Sequence, residues 1–221
     1  MDNKEKIIYA YRLSSDTGDA PCIFNIKYEP TDLLTLACCK GGYIRSGKKV
    51  YTGLRHTIGK KYKAKIEEGL AQIFIMGIYK NKILYFAEVT KILEMKVYYS
   101  PNSEYVNRHD YIYKYSSNNF KRNEKNPGFH PKNDKAQHIN DWLGVYALIS
   151  NRFAYFGEEG KPIPEELLDI LPKWRETKNW SLKSNEGQMI MDEIKKHWKN
   201  FNKNIKNLPT TICDIEQKKG C

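Results

Sequence analysis

Hydrophobic residues in this chain gather in short runs that have the character of β-strands. Ile7–Leu13 and Leu33–Cys38 are rich in β-branched and aromatic residues, and each run ends at a polar loop. Longer apolar runs between residues 72 and 92 flank Lys80-Asn81-Lys82, which predicts a hairpin whose strands are covered on both faces. Further strands are predicted at Tyr111–Tyr115, Val145–Ile149 and Phe153–Phe156.

The apolar period changes to that of a helix near the end of the chain. The stripe of the predicted amphipathic helix consists of Met191, Ile194, Trp198, Phe201, Ile205 and Leu208. A short helix is predicted over residues 162–171, with Pro164 near its first turn. Short strands with few helices predict an α+β fold, with a small curled mixed sheet or barrel, peripheral helices and a long C-terminal amphipathic helix.

The positive charge is concentrated in one segment. The chain has 37 Lys and Arg against 26 Asp and Glu, a formal net charge of +11. Lys40–Lys65 holds nine of these cations and no acid, so it contributes +9, and the other 28 cations less 26 acids leave +2. Glycines in this segment allow the backbone to approach an anion closely. Two interpretations stay open: a phosphate-binding surface, and a solvated loop in a lysine-rich protein.

The sequence lacks the motifs of several function classes. It has no transmembrane run and no signal-peptide core, so we expect a cytoplasmic protein that does not associate with membranes. Its cysteines form no C-x-x-C pair, which argues against a disulfide framework and against a zinc ribbon. Walker, dinucleotide-binding, zinc-protease and zinc-deaminase motifs are also absent, so we predict neither a metal nor a cofactor.

Candidate acid–base residues lie in the polar segment 100–141, and irregular segments of this length are usually functional or mobile. A histidine beside a carboxylate is a common general base or metal ligand. The candidates are His109, Asp110, His130, Asp134, His138 and Asp141. The tyrosines of this segment, such as Tyr113, could stack on a nucleobase, although most tyrosines are core residues.

Two blocks of sequence resemble a known family. The first block consists of residues 8–21 (Ile-Tyr-Ala-Tyr-Arg-Leu-Ser-Ser-Asp-Thr-Gly, then Ala-Pro), Leu34–Lys40 and Ile44–Ser46. The second consists of Leu148–Ser150, Phe153–Gly157 and Ile163–Glu165. Over roughly residues 7–171 the chain resembles the nucleotide modification associated domain, type 2, found in bacteria and their phages. Its layout is also similar to PUA-like domains of the EVE and ASCH type, which are small β-barrels that hold a modified base in a cleft.

The resemblance implies a set of ligand-binding residues at the matching polar positions. These positions are Arg12, Ser14, Asp16, Thr17, Cys38, Lys40, Arg45 and Ser46, together with His130 in the middle section. The family passes quickly from the Ile44–Ser46 stretch into its next strand, whereas here residues 47–71 intervene. We therefore predict one domain over 1–172, with polar insertions at 47–71 and 100–141, and a C-terminal helical extension over 173–221 packed on it.

The leading hypothesis is a nucleotide- or modified-base-binding protein, associated with nucleic-acid modification or with phage–host conflict. In this hypothesis Arg12, Lys40 and Arg45 hold phosphate in a basic cleft. Tyr113 stacks on the base, and residues of the loop after the first strand read its polar edge. The expected partner is a nucleotide or a modified nucleic acid.

Two alternatives remain open. One is an enzyme that modifies or hydrolyses a base or nucleotide, with Asp16 or His130 as the general base and Cys38 as a weaker candidate nucleophile. The other is a phage protein that sequesters a defence signalling nucleotide. Such a protein would bind a small free nucleotide with little salt dependence.

Overall fold

The computed structural model describes residues 4–51, 53–126, 135–173 and 176–198. The strands in these ranges are β1 (Glu5–Arg12), β2 (Cys22–Phe24), β3 (Pro30–Leu36), β4 (Tyr43–Arg45), β5 (Lys48–Val50), β6 (Ala71–Tyr79), β7 (Lys82–Val89), β8 (Lys91–Glu94), β9 (Tyr113–Ser116), β10 (Asn119–Arg122), β11 (Tyr146–Ser150), β12 (Arg152–Tyr155), β13 (Lys161–Pro162) and β14 (Thr177–Ser181). The helices are α1 (Leu54–Glu67), α2 (Met95–Tyr98), α3 (Lys135–Trp142) and α4 (Asn185–Trp198).

The chain divides into two compact units. The first unit is built from the described residues up to 17, from residues 64–90 and from those at 150 and beyond. The second unit is built from residues 18–63 and 91–149. Each unit therefore combines segments that are far apart in the sequence.

The first unit is organised around one six-stranded sheet, in the order β12-β7-β6-β1-β14 with β13 beside β7. β1 runs parallel to β6, and the other pairs are antiparallel. Ile8 and Ala10 of β1 belong to a buried apolar cluster that also contains Ile190 and Ile194 of α4. The central residues of β1 are all buried, which explains why the strand is almost continuously apolar in sequence.

The second unit contains the sheet β2-β3-β11-β8 and the separate hairpins β4–β5 and β9–β10. Its core is rich in tyrosine, with Tyr98, Tyr99 and Tyr113 fully buried. Their hydroxyls donate to the Asp110 carboxylate, the Asp110 carbonyl and the Asp141 carboxylate, respectively. Because a tyrosine can bury its ring when its hydroxyl finds an acceptor, a segment that looks polar in sequence supplies much of this core.

The predicted fold class and the main hairpin are confirmed. The protein is α+β, and β6 and β7 form the hairpin predicted between residues 72 and 92. Lys80 and Asn81 both have positive φ, as a two-residue type I′ turn requires. The C-terminal helix is also confirmed as α4, whose Met191 and Ile194 lie in the core. The rest of the predicted stripe, Phe201, Ile205 and Leu208, lies outside the described residues.

Other expectations need correction. The described strands form open sheets and not a closed barrel, because the edge strands β12 and β14 do not pair with each other. The helix predicted over 162–171 is reduced to a 3-10 turn at Glu165–Leu167. The strand predicted over Leu33–Cys38 ends earlier, because β3 ends at Leu36. Cys39 instead has a φ of 55° and turns the chain out of the sheet.

Candidate functional site

A short basic hairpin projects from the second unit. It consists of β4, a two-residue turn and β5, and we call residues 43–51 the basic arm. In the turn, Ser46 and Gly47 both have positive φ, which matches the type I′ geometry of short hairpins. A Cβ on Gly47 would have no atom within 4 Å, so the tip is open.

The base of the arm is closed by direct backbone contact. A Cβ on Gly53 would lie 2.2 Å from the carbonyl oxygen of Gly41, and one on Gly41 would lie 2.4 Å from that of Asn140. The Arg55 amide also donates to the Lys40 carbonyl at 3.1 Å. The glycines at 41 and 53 are therefore required by the close approach of two chain segments.

Helix α1 follows the arm directly, and its part up to Lys63 belongs to the second unit. Leu54, Ile58 and Tyr62 are buried at four-residue spacing and form the inner face of the helix. Thr57, Lys60 and Lys61 are exposed, and their spacing of three and four residues places them on one solvent face.

A cleft of about 690 Å³ lies between the end of the arm and α1. It is lined by Tyr51 of the arm and by His56, Thr57, Lys60 and Lys61 of the helix. This volume lies within the range of about 300–1,000 Å³ found for small-molecule sites. The cleft therefore combines aromatic rings, a hydroxyl and two cations in a space that suits a nucleotide.

The ring of His56 lies inside this arrangement. Its centroid is 5.2 Å from that of Tyr51 and 6.1 Å from that of Tyr146. Burial and the positive charge of Lys60 lower the pKa of His56 below its usual value of 6.5. The buried Nδ1 has no hydrogen-bond partner in the described part of the chain. The imidazole is therefore neutral at pH 7 and offers a flat, uncharged ring beside two lysines.

Arg55 lies on the same helix but points into the protein. It is fully buried, and its guanidinium donates to the carbonyl oxygens of Cys39, Tyr146 and Asp141. The Tyr146 and Asp141 contacts are both 2.6 Å. A Cβ on Gly144 would lie 2.4 Å from the guanidinium, so this side chain fills its space completely. Arg55 holds α1 in place and is not part of a ligand-binding surface.

The cations of Lys40–Lys65 therefore do not act as one surface. Lys65 pairs with Glu5 at 2.7 Å in the first unit, and Arg55 is buried. The cations that remain exposed without an acidic partner among the described residues are Lys48, Lys49, Lys60 and Lys61. They lie on the basic arm and on the solvent face of α1. Four of the nine cations are thus exposed lysines that lie in two pairs, while the side chain of Arg45 is not among those that the structure describes.

Of the ligand-binding residues predicted from the sequence, four lie in the first unit. Arg12 donates to Asn81 Oδ1 with both terminal nitrogens at 3.1 Å, and its Nε donates to the Pro172 carbonyl. Ser14 is exposed and Thr17 half-buried. Asp16 is buried and accepts a hydrogen bond from the Tyr155 hydroxyl at 2.7 Å.

The other predicted residues belong to the second unit or lie outside the described residues. Lys40 is half-buried at the base of the arm and Ser46 is exposed at its tip, while Arg45 ends β4. Cys38 is buried, and its hydrogen bond with Cys39 and its burial raise the pKa of its thiol, so the nucleophilic thiolate is disfavoured. His130 lies outside the described residues.

Tyr113, the predicted stacking residue, is fully buried. Its ring centroid lies 5.7 Å from that of Trp142 and 5.4 Å from that of Tyr99. Its hydroxyl donates to Asp141 Oδ2 at 2.7 Å, and burial followed by the charge of Asp141 raises the pKa of Tyr113. A base could reach this ring only after neighbouring side chains had moved.

Three acid–base candidates of the polar segment, His109, Asp110 and Asp141, are buried, whereas Asp134, like His130, lies outside the described residues. Asp110 accepts hydrogen bonds from Thr35 at 2.6 Å and from Tyr98 at 2.7 Å, and it lies 3.5 Å from the Arg108 guanidinium. His109 Nε2 lies 3.3 Å from Asp19 Oδ1. Burial lowers the pKa of His109, and the charge of Asp110 only partly opposes this. These contacts hold the irregular segment together.

Tyr51, His56 and Thr57 of the cleft were not singled out from the sequence, and Lys60 and Lys61 were included only as part of the Lys40–Lys65 segment. The available signal was the spacing of Leu54, Ile58 and Tyr62, which is that of a helix and would have placed Lys60 and Lys61 on its outer face. The apolar stripe of α1 is incomplete, because two of its buried positions are Arg55 and Gly59. The helix is therefore hard to recognise from hydrophobic spacing.

Comparison with known proteins identifies a family. A family model described as nucleotide modification associated domain 2 matches residues 5–216. The match confirms the family that the residues of the first strand and its loop indicated, and it extends beyond residue 171. No curated protein and no solved structure matches the chain. Within the described residues, no helix has both the length and the apolar character needed to cross a membrane.

Proposed function

The chain belongs to the nucleotide modification associated domain 2 family, and from this premise we propose that the cleft beside α1 binds a nucleotide or a modified base with its phosphate. The observation that carries the proposal is the composition of the cleft. Tyr51 and His56 supply rings, Lys60 and Lys61 supply charge, and the described residues that line the cleft include no acid. Aromatic faces next to cations are the usual means of holding a base and its phosphate together.

The phosphate is assigned to the solvent face of α1. Lys60 and Lys61 are adjacent, exposed ammonium groups, and an ammonium acts as a compact charge that suits phosphate oxygens. The hydroxyl of Thr57 lies on the same face and can donate a further hydrogen bond. Because no described carboxylate pairs with these lysines, a phosphate does not compete with an internal ion pair.

The base is assigned to the rings. Tyr51 is exposed, and its ring is tilted by 41° from that of His56 at a centroid distance of 5.2 Å. His56 is neutral at pH 7, so a base would meet no buried charge there. The other predicted ligand residues, which include Arg12, Lys40 and Arg45, do not line this cleft. Their role in binding remains a proposal.

The proposal is tested by calorimetric titration of the purified protein with nucleoside 5′-monophosphates, including 5-methyl- and 5-hydroxymethyl-dCMP, and with the matching nucleosides. We expect saturable binding of at least one monophosphate and weaker binding of its nucleoside. A Lys60→Gln/Lys61→Gln variant should bind at least about tenfold more weakly, since a hydrogen bond to a charged group contributes about 1.5–3 kcal/mol.

The matched control is Lys114→Gln/Lys125→Gln, which removes two exposed lysines elsewhere in the same unit. It should bind as the unmodified protein does. Absence of binding across the whole panel, or equal binding by the Lys60→Gln/Lys61→Gln variant, would contradict the proposal. Mass spectrometry of the recovered nucleotides separates binding from catalysis, because an enzyme would change the mass of its substrate.

A further inference from the structure

We propose that the basic arm extends the cleft into a track for single-stranded nucleic acid, so that the cleft holds one nucleotide of a longer strand. The inference rests on the proposed function, because the cleft provides the first phosphate and base position. It goes further by assigning the ligand to a polymer and by giving the arm a function of its own.

The first observation is the exposure of two aromatic rings. Tyr43 at the start of β4 is 44% exposed, and Tyr51 just after β5 is 43% exposed. The tyrosines of the core of this unit, such as Tyr98 and Tyr113, are fully buried. An exposed tyrosine ring can stack on a base of any sequence.

The second observation is the charge at the tip of the arm. Lys48 and Lys49 begin β5, and both are exposed. The strand register pairs Lys49 with Ile44 and Lys48 with Arg45, and successive residues of a strand point to opposite sides. The tip therefore presents a lysine on each side, and neither forms an ion pair within the described residues.

The third observation is that the arm is held firmly at its base. Gly53 and Gly41 are in backbone contact, and the Arg55 amide donates to the Lys40 carbonyl. The buried Arg55 guanidinium fixes the neighbouring start of α1. An element that is already ordered loses less conformational entropy when a ligand binds.

These features fit a strand better than a free nucleotide or a duplex. One mononucleotide would occupy the cleft and use Lys60 and Lys61, which leaves Tyr43, Lys48 and Lys49 without a role. Two separate pairs of lysines and two exposed rings offer positions for more than one phosphate and more than one base. A duplex keeps its bases stacked and paired, so their faces are not available to tyrosine.

The test is fluorescence anisotropy with a labelled oligothymidylate of about 12 nucleotides, within the usual range of single-strand site sizes. Thymidine 5′-monophosphate and the duplex with oligoadenylate serve as competitors. We expect the strand to bind at least about tenfold more tightly than either competitor. The Tyr43→Ala variant should lose about fivefold or more in strand affinity, the effect of removing one base–aromatic stack. Tyr43→Phe should retain the affinity because it keeps the ring.

Salt dependence gives a second, independent readout. Each phosphate contact on a single strand contributes about 0.7 to the slope of log affinity against log salt concentration. The Lys48→Gln/Lys49→Gln variant should therefore show a slope that is lower by about 0.7–1.4. The variant Lys114→Gln/Lys125→Gln should leave the slope unchanged, since it removes the same charge away from the arm.

The outcomes separate this inference from the proposed function. Monophosphate binding that depends on Lys60 and Lys61, with no preference for the strand, overturns the track and leaves the cleft as a site for a free nucleotide. Loss of monophosphate binding in Tyr43→Ala, with the fold intact by circular dichroism, overturns it as well, because the ring would then belong to the cleft. Binding of neither ligand overturns both proposals.

Discussion

At the scale of single residues, the surroundings decide what each cation of Lys40–Lys65 can do. Arg55 and Lys60 are five positions apart on one helix, yet the first is enclosed by carbonyl oxygens and the second lines a cleft. A guanidinium suits the buried position because its fixed, planar set of donors reaches several acceptors at once. The flexible lysine suits the exposed position.

Replacing Arg55 with methionine should reduce the free energy of unfolding by about 3 kcal/mol or more. The carbonyl oxygens of Cys39, Tyr146 and Asp141 would lose their shared donor, and each buried acceptor without a partner costs about 1–3 kcal/mol. Urea denaturation measures the change. Lys61→Met on the exposed face is the control and should stay within about 0.5 kcal/mol; an equal loss in both variants would show that the carbonyl contacts are not stabilising.

His109 should make the stability depend on pH. Burial lowers the pKa of His109 in the folded protein below its usual value of 6.5. The unfolded chain therefore binds more protons between 6.5 and the folded pKa, so the stability present above pH 6.5 is lost as the pH falls through this window. Denaturation of the His109→Gln variant at pH 7.5 and pH 5.5 should show a smaller drop in stability than the unmodified protein shows.

The quantity to compare is the loss of unfolding free energy between pH 7.5 and pH 5.5 in the unmodified protein and in the His109→Gln variant. Carboxylates that titrate at lower pH affect both proteins alike. The pKa of His56 is also lowered. The same two denaturation measurements on the His56→Gln variant show how much of the loss of stability comes from that ring. If the pH-dependent loss were the same with and without the His109 imidazole, the buried ring would not be its source.

At the scale of elements, the basic arm and α1 are held together by backbone contacts at the base of the arm. The arm is too short to be stable alone, since an isolated two-stranded hairpin is marginal in water. Its stability depends on the glycines at its base and on the position of α1, which the buried Arg55 fixes. The cleft exists only while these elements keep their relative positions within the second unit.

Replacing Gly53 with alanine should weaken both folding and ligand binding. The new Cβ would lie 2.2 Å from the Gly41 carbonyl oxygen and 2.5 Å from that of Lys40, so the backbone at the base of the arm must shift. Such overpacking costs about 1–3 kcal/mol. Thermal denaturation and titration with the oligothymidylate measure the two effects.

The control for this prediction is Gly47→Asn at the tip of the arm. Gly47 has a φ of 74° and open space around it, and asparagine tolerates this conformation better than most residues. The variant should keep nearly all the stability and binding. If Gly53→Ala behaved like Gly47→Asn, close backbone contact at the base would not be what shapes the cleft.

At the scale of the whole molecule, the distribution of charge locates a binding surface better than the net charge of +11 does. The predicted ligand set is divided between the two compact units, with Arg12 and Asp16 in the first and Lys40 and Ser46 in the second. The cleft and the arm lie within the second unit alone. A binding site can therefore be proposed from one unit, without residues from the loop that follows β1.

The sequence predicted most of what depends on local pattern. Alternating and continuous apolar runs located β1, β6, β7 and β11, because burial imposes that pattern on strands. The stripe that includes Met191 and Ile194 located α4 for the same reason. Among the elements that the sequence missed are α1 and β14. The buried face of α1 contains an arginine and a glycine, and β14 (Thr-Lys-Asn-Trp-Ser) is a mostly polar strand at the edge of its sheet.

The sequence by itself determined the α+β class, the family and the segment in which the charge is concentrated. Tertiary structure alone decided which charged and aromatic residues of the second unit remain accessible. Tyr113 and Tyr51 belong to the same residue type, but only packing against Trp142 and Tyr99 buries the first. Arg55 differs from Lys60 because carbonyl groups far along the chain, those of Asp141 and Tyr146, surround it. Accessibility depends on contacts between distant segments, and a local pattern does not contain them.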